Sequence, residues 1–265
     1  MTGKTFQLEL SLLTHAGRKR SRNEDCVAVD TRQWQENMDQ PHCLVLPLGR
    51  PHCLLVADGL GGHPAGDTAS RLAAEFLGQW IGSRDRVEKE TLERELRALN
   101  LYLFDRASER NQRGMGCTIA GIIIDPQNML IFNVGDAVVF RKNSGYLSQL
   151  SVSDSPAVSF GEPDRSLDRS VVTQCLGGTL HFQEIEPHIR EERLVVDRCY
   201  LIATDGLTAA LDLETIEGLL KEPQYDPANR MLHAALASGA PDNLSLILMR
   251  IAAAPSTKEN LNRLP

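Results

Sequence analysis

The chain from residue 53 to residue 66 reads CLLVADGLGGHPAG, and this stretch decides how the rest of the sequence is interpreted. Its first five residues form a short apolar run that ends abruptly at Asp58-Gly59. A buried strand has this pattern when it delivers a polar side chain to its exposed end. The stretch therefore predicts a strand over residues 53–57 that presents Asp58 at the edge of a sheet.

After this stretch, apolar residues recur every three or four positions, which predicts amphipathic helices. The first helix is predicted at Ala65–Ile81 and the second at about Val87–Asn111. Two further helices are predicted at Leu213–Leu220 and Pro227–Ala237. We interpret these helices as packing elements.

Short apolar or alternating segments predict the strands. The predicted strands are 6–13, 26–30, 53–57, 116–124, 129–134, 137–141, 194–204 and 244–251. Asp125-Pro126 and Gly135-Asp136 are turn signals typical of antiparallel meanders. Residues 33–40 are interpreted as a turn, and residues 151–169 as a polar surface excursion.

The composition is that of an ordinary globular protein of 265 residues, with 42% hydrophobic and 24% charged residues. This length fits one domain, and no repeat or linker divides the chain. We therefore predict a single domain over residues 1–265. Its core is expected at about 6–251, followed by a polar tail at 252–265.

Charge and hydropathy bound the partners and the compartment. The net charge is −7 and no long basic block could neutralise phosphates, so no nucleic-acid partner is expected. No apolar stretch is long enough for a membrane span, and the first 13 residues lack a signal pattern, so a cytoplasmic location is expected. The six cysteines form no Cys-x-x-Cys pair and are interpreted as reduced structural thiols.

Four aspartates occur at the predicted ends of strands: Asp25, Asp58, Asp205 and Asp242. Separated carboxylates that converge at a sheet edge suit Mg²⁺ and Mn²⁺, because these hard cations prefer oxygen ligands. Asp-Gly and Asp-Asn pairs are also common in plain turns, since Asp hydrogen-bonds nearby backbone. The residues alone leave both interpretations open.

Longer motifs occur in a fixed order along the chain. They are RSRNED (20–25), ADGLGGHPAG (57–66), GCT (116–118), NVGD (133–136), ATDGL (203–207) and DN (242–243). In order and spacing, from about residue 12 to residue 251, this set closely resembles the bacterial branch of the PPM (type 2C) protein phosphatases. The short motifs are weak individually, whereas the sequence around Asp58 is specific.

The resemblance implies an α+β fold, a four-layer α-β-β-α sandwich of two antiparallel sheets flanked by helices. It also implies a channel at one edge that holds two Mn²⁺ or Mg²⁺ ions. Residues of about 151–170 would form a short flap near the entrance. This segment lacks the family's common Asp-His-Ser, so substrate selection is expected to differ from that of relatives.

The resemblance carries metal-binding roles to several positions. The implied ligands are Glu24, Asp25, Asp58, the Gly59 carbonyl, Asp205 and Asp242. Asp58 would bridge the two ions, and Glu24 and Asp25 would act directly or through waters. Asp136 would help to form a third, weaker metal site with Asp205.

The implied activity is metal-dependent hydrolysis of phosphoserine and phosphothreonine in proteins, by direct attack of a metal-activated water on phosphorus. Arg20 would grip the substrate phosphate, because a guanidinium binds phosphate in a bidentate manner. The implied partners are phosphoprotein substrates and a cognate Ser/Thr protein kinase. No phosphoenzyme is required, so cysteine modification should matter little.

Several positions depart from the family pattern. Leu60 stands where the family carries its candidate acid histidine. His63 matches a histidine usual in bacterial members, and its role as an acid or as loop support stays open. His15 and Ala137-Val138 also differ from the usual residues, which puts the third metal in doubt.

Two other functions compete with this interpretation. A nucleotide-binding loop is suggested by Gly59, Gly61, Gly62 and Gly66, but Pro64 occupies the position of the last required glycine. The other is a catalytically weak or inactive PPM-like regulator that binds phosphoproteins. Such a protein would have lost a ligand aspartate, whereas all four are present, which favours the enzyme.

Overall fold

The computed structural model describes residues 5–60, 65–155, 171–221 and 226–254. Within these ranges the chain forms two antiparallel sheets and five α-helices. The strands are β1 (Phe6–His15), β2 (Asp25–Val29), β3 (Arg32–Trp34), β4 (His42–Pro47), β5 (His52–Gly59), β6 (Gly116–Ile124), β7 (Met129–Val134), β8 (Val138–Lys142), β9 (Leu147–Gln149), β10 (Leu176–Gly177), β11 (His188–Glu192), β12 (Cys199–Ala203) and β13 (Leu244–Ala253). The helices are α1 (Gly66–Gly82), α2 (Lys89–Glu109), α3 (Asp205–Ala210), α4 (Leu213–Lys221) and α5 (Pro227–Ala237).

The first sheet has the strand order β4-β1-β13-β12-β8-β9. Strands β1 and β13 pair antiparallel along all 10 residues of each. Successive side chains of a strand point to opposite faces. Leu10 and Leu12 of β1 therefore lie in the apolar core between the sheets, while Leu13 packs towards helices on the outer face.

The second sheet has the strand order β11-β7-β6-β5-β2-β3, and β10 pairs with β6. In β5, Leu54 and Val56 belong to the core between the sheets. Leu55 and Ala57 belong to a second core under the helices. The continuous apolar run in the sequence is explained by this burial on both faces.

The helices cover the outer faces of the two sheets. Leu77 of α1 and Leu96 of α2 share the core of the second sheet. Ile216 of α4 and Met231 of α5 pack on the first sheet beside Leu201. The layers are therefore α-β-β-α, and the predicted α+β sandwich is confirmed.

Some predicted boundaries are wrong. Residues 33–40 are predicted to be a turn, yet residues 33 and 34 belong to β3, and β4 follows where the sequence predicts no strand. Strand β4 lies at a sheet edge with four of its six residues exposed, so it lacks the apolar pattern of a core strand. The strand predicted at 194–204 is only β12, at Cys199–Ala203.

Parts of the predicted flap and tail lie outside the described residues. The flap is described only for residues 151–155, and the tail only for residues 252–254, of which the first two extend β13. The single domain over residues 1–265 stays a prediction. In the described ranges, no helix is both long enough and apolar enough to cross a membrane.

Candidate metal centre

A cavity of about 530 Å³ opens at one edge of the two sheets. One side of it, which we call the acidic side, is formed by Asp58, Asp136, Asp205 and Asp242. Among the described residues that line the cavity, Arg20 is the one positively charged side chain. The structure therefore brings the predicted phosphate-binding arginine together with four of the predicted ligand positions.

Strand ends deliver most of these side chains. Asp25 begins β2 and is paired in register with Asp58, which precedes the last residue of β5. Asp136 lies in the turn between β7 and β8, and Asp242 lies shortly before β13. Asp205 differs from its prediction, because it does not close a strand but begins helix α3. A carboxylate in the first turn of a helix is favoured by the helix dipole.

Asp25 lies behind the acidic side and is fully buried. Its Oδ2 accepts a hydrogen bond from the Thr204 hydroxyl at 2.8 Å, while its Oδ1 has no hydrogen-bond partner within the described part of the chain. Burial raises the pKa of Asp25 to about 7; the side chains of Ser245 and Thr204 oppose this rise, and the charges of Asp205 and Asp242 add to it. A buried carboxylate with an unpartnered oxygen is costly unless something neutralises it.

Asp58 and Asp136 also have raised pKa values, because of burial and of neighbouring carboxylates. Burial raises the pKa of Asp58 well above its usual value, and the nearby Asp25, Asp205 and Asp136 raise it further. Burial, followed by the charge of Asp205, raises the pKa of Asp136 to about 6. A divalent cation would neutralise this charge with the oxygen ligands that it prefers, so the donor set fits Mn²⁺ or Mg²⁺.

The side chains hold each other in a different arrangement from a preformed metal cage. Arg20 donates to Asp242 Oδ2 at 2.7 Å, and the nearby Asp205 carboxyl group contributes to the raised pKa of Asp58. No group of three or more His, Cys, Asp or Glu side chains in the described ranges has the arrangement of a metal site.

Glu24 and Gly59 are tied to the same edge through the backbone. The Glu24 carbonyl accepts from the Gly59 N–H at 3.2 Å and from the Ser70 hydroxyl at 2.6 Å. A Cβ atom at Gly59 would lie 2.3 Å from the Gly66 carbonyl oxygen, so only glycine allows helix α1 to begin this close to β5. The Glu24 N–H donates to Asn243 Oδ1 at 2.9 Å, which joins this edge to the residues before β13.

The histidines of the sequence analysis are not part of the described acidic side. His63 lies outside the described residues. His15 accepts a hydrogen bond from the Gly17 N–H at its Nδ1, at 2.9 Å, and so supports a backbone turn. Leu60 lines the cavity and lies close to Gly178.

The opposite side of the cavity, residues 171–185, was not identified from the sequence, and we call it the wall. Its described lining residues are Val171, Val172, Thr173, Gln174, Cys175, Gly177, Gly178, Thr179, Gln183, Glu184 and Ile185, of which Glu184 is the one charged residue. Buried Asn100 of α2 holds the wall, because it donates to the Gln183 carbonyl at 2.8 Å and accepts from the Gly177 N–H at 2.9 Å. The wall has no periodic pattern, which is why no sequence signal marked it.

Comparison with known proteins establishes the family. A sequence model of the protein phosphatase 2C family matches residues 35–248, which is more than half of the chain, so the chain belongs to this family. The match includes the whole acidic side, whereas Arg20, Glu24 and Asp25 precede it. The predicted resemblance is confirmed.

Curated relatives and solved structures agree with this membership. The chain is 26% identical to the serine/threonine protein phosphatase PstP of Mycobacterium tuberculosis, over 94% of this chain but only 46% of PstP. It is 25% identical to the protein phosphatase PhpP of Streptococcus pneumoniae, over 91% of this chain and 97% of PhpP. The chain thus spans about half the length of PstP and almost all of PhpP.

Two crystal structures of PstP resemble the chain closely. The PstP/Ppp structure from Mycobacterium tuberculosis has a TM-score of 0.76 and 25% identity, covering 93% of this chain and 99% of that one. The PstP catalytic domain in complex with two manganese ions has a TM-score of 0.74 and 26% identity, covering 94% and 100%. The manganese ions belong to that relative.

Proposed function

We propose that this protein is a metal-dependent protein Ser/Thr phosphatase. The observation that carries the proposal is the cluster of carboxylates beside Arg20, in which burial raises the pKa of Asp25 to about 7 and leaves negative charge without sufficient counter-charge. Structural salt bridges do not explain such a cluster, whereas a cation site does. Membership of the protein phosphatase 2C family supports the reaction class.

The residues proposed to hold two Mn²⁺ or Mg²⁺ ions are Glu24, Asp25, Asp58, the Gly59 carbonyl, Asp205 and Asp242, with Asp136 at a third site. When bound, the cations supply Lewis acidity that activates water for direct attack on phosphorus and offsets charge on the phosphoryl oxygens. The PstP complex with two manganese ions supports the proposed number of ions by analogy.

The chain's own side chains have distinct tasks in this proposal. The Arg20 guanidinium can exchange its Asp242 partner for a phosphoryl group, with two parallel N–H donors towards the phosphate oxygens. Thr204 holds one Asp25 oxygen by a hydrogen bond and so restricts rotation of the carboxylate. The wall confines the phosphorylated segment on the opposite side.

The relatives' names extend the proposal to partners. PstP is a serine/threonine protein phosphatase and PhpP is a protein phosphatase, so we expect phosphoprotein substrates and an opposing Ser/Thr protein kinase for this chain. A cytoplasmic location and the lack of a nucleic-acid partner stay predictions. The competing function is a weakly active or inactive regulator that binds phosphoproteins.

The test compares hydrolysis of p-nitrophenyl phosphate and of a phosphothreonine peptide with Mn²⁺, with Mg²⁺ and with excess chelator. Wild type is compared with Asp58→Asn and Asp205→Asn, and Asp105→Asn on the exposed face of α2 is the matched control. We expect chelator to abolish turnover and both site variants to lower kcat roughly a hundredfold or more. Turnover that resists chelator and both substitutions would contradict the proposal. A folded, metal-binding but inactive wild type would favour the regulator.

A further inference from the structure

Asp154 is a buried residue outside the acidic side that contacts both sides of the cavity. Only 8% of its surface is exposed, and it lies in the segment that follows β9. Its backbone and both carboxylate oxygens are engaged in hydrogen bonds to two separate parts of the chain. A charged group with several short hydrogen bonds fixes its partners more firmly than a neutral one.

The first set of bonds joins Asp154 to the turn that carries Asp136. The Gly135 N–H donates to Asp154 Oδ2 at 2.7 Å, and the Asp154 N–H donates back to the Gly135 carbonyl at 3.0 Å. Gly135 has φ +100°, and a Cβ atom there would lie 2.4 Å from the Thr118 Cβ. The turn is therefore held in one conformation, and Asp136 is the next residue along it.

The second set joins Asp154 to the wall. Its Oδ1 accepts from Gln174 Nε2 at 2.8 Å and from His188 Nε2 at 2.8 Å. Its carbonyl accepts from the Thr173 N–H at 2.7 Å and from the Thr173 hydroxyl at 2.9 Å. Thr173 and Gln174 both line the cavity, so one residue holds the wall and the Asp136 turn at a fixed separation.

Asn133 explains why the backbone around Asp154 keeps its place. Its side-chain amide donates to the carbonyls of Val152 and Gly135, and its Oδ1 accepts from the Val152 N–H at 3.0 Å. Asn133 is almost fully buried. The Asn-Val-Gly-Asp motif at 133–136 is thus a clamp on residues 152–154 as well as the carrier of Asp136.

We propose that Asp154 is a positioning residue that couples the substrate wall to the Asp136 turn. It touches no phosphoryl group itself. Its role is to keep Thr173 and Gln174 in register with Asp136, so that binding of a phosphoprotein segment at the wall places the phosphate correctly against the acidic side. This inference rests on the proposed phosphatase function for its kinetic consequences, but not for its structural ones.

The chemistry of the carboxylate makes the proposal specific. Asp154 accepts from donors on both sides, namely Gly135 on one and Gln174 with His188 on the other. In Asp154→Asn, one of these sides faces an amide NH₂ group that cannot accept, so one link is weakened while the side chain's size is kept. Asp154→Ala removes both side-chain links.

The kinetic experiment measures kcat and KM for the phosphothreonine peptide and for p-nitrophenyl phosphate in wild type, Asp154→Asn, Asp154→Ala, Gln174→Ala and the double variant Asp154→Ala/Gln174→Ala. Ser153→Ala, in the same segment, is the matched control. We expect the peptide KM to rise about tenfold in Asp154→Ala and in Gln174→Ala. In the double variant the rise in KM should be much smaller than the product of the two single rises, because both residues act through one link. The small substrate does not reach across to the wall, so its KM should change little.

A second readout does not depend on activity. Hydrogen–deuterium exchange in wild type and Asp154→Ala reports on residues 133–136 and 172–175, and we expect faster exchange in both segments, by about tenfold. Equal loss of kcat for both substrates with unchanged peptide KM would overturn the positioning role in favour of plain destabilisation. Unchanged exchange at residues 133–136 would overturn the coupling. Wild type inactive on both substrates would count against the phosphatase function, while the exchange result would still decide the coupling.

Discussion

Strand β2 has an aspartate at each end, and the two are treated in opposite ways by the fold. Asp25 begins the strand at the cavity, and Asp30 follows its last residue at the far end. Both are buried. Asp25 has one oxygen with no partner among the described residues, whereas both Asp30 oxygens are occupied.

The partners of Asp30 come from the segment before and into β5. Its Oδ2 accepts from Arg50 at 2.7 Å and contacts His52 Nδ1 at 2.9 Å, and its Oδ1 accepts from the Cys53 N–H at 3.0 Å. Burial by itself would raise the pKa of Asp30, but the hydrogen bonds from His52 and Cys53 and the charges of His52 and Arg50 outweigh it. The pKa of Asp30 is therefore lowered.

The comparison separates stability from function within one strand. At Asp30 the fold supplies every partner that a buried carboxylate needs, so the group stabilises the folded protein. At Asp25 one oxygen has no partner among the described residues and other carboxylates lie nearby, which destabilises the protein without a cation. Sites that break the ordinary rules of polar satisfaction are where function is expected.

The largest effect, on kcat, should follow from removing the charge of Asp25 at the cavity end of β2. We expect Asp25→Asn to lower kcat for p-nitrophenyl phosphate by roughly three orders of magnitude, because a preorganised charged contact is lost. In chelator the same variant should melt at a higher temperature than wild type, since a buried unpaired charge is removed. Wild-type kcat in this variant would contradict the role assigned to Asp25.

The next largest effect should be a loss of stability on changing Asp30, at the far end of β2, without a change in kcat. Asp30→Asn is expected to lower the free energy of unfolding by about 3 kcal/mol, since it leaves His52 and Arg50 without their charged partner. Asn tolerates the left-handed backbone found at this position, φ 54°, so the substitution tests the charge rather than the backbone. Urea denaturation gives the loss, and kcat per folded molecule serves as the control.

The contributions of Asp30 and Asp25, at the two ends of β2, to the stability of the folded protein should depend on pH with opposite sign. Asp30 has a lowered pKa in the folded state, so its stabilisation is present above its unfolded pKa of about 3.9 and is lost as the pH falls through the folded value. Asp25 has a raised pKa, so in chelator its contribution is most favourable below about pH 4 and is lost as the pH rises through about 7. Denaturation of wild type and each Asn variant from pH 3 to pH 8 measures both differences, and parallel curves would contradict the comparison.

The smallest loss of stability among these variants should come from Arg50→Ala. The Arg50 side chain is 55% exposed, so water screens its pairing with Asp30. We expect a loss of less than about 1 kcal/mol, which shrinks further at high salt. A loss as large as that of Asp30→Asn would show that Arg50, rather than His52 and the backbone, satisfies Asp30.

The sequence predicted the fold and the location of the aspartates well, because apolar periodicity and Asp-Gly punctuation are local signals. It could not show which carboxylate oxygen is satisfied. Thr204, which binds Asp25, is 179 residues away along the chain. The Asp30–His52 pair is likewise a contact between separate parts of the chain. The wall has no periodic pattern that a sequence signal could mark. Asp205 follows an apolar strand and an Asp-Gly pair resembles a turn, so the sequence places it at the end of a strand although it begins a helix. The metal-binding roles of individual residues stay predictions.

The pairing of β1 with β13 has a consequence for how the molecule is made. These strands lie side by side in the first sheet, although about 240 residues separate them in the sequence, and Asp242 lies two residues before the later one. Contacts of such long sequence separation form late and slow the overall reaction. On the ribosome, an emerging chain therefore lacks the last carboxylate until residue 242 has been added, and the complete closing strand until residue 253 has been added. The site can therefore assemble only after β13 has been synthesised and can pair with β1 in the first sheet.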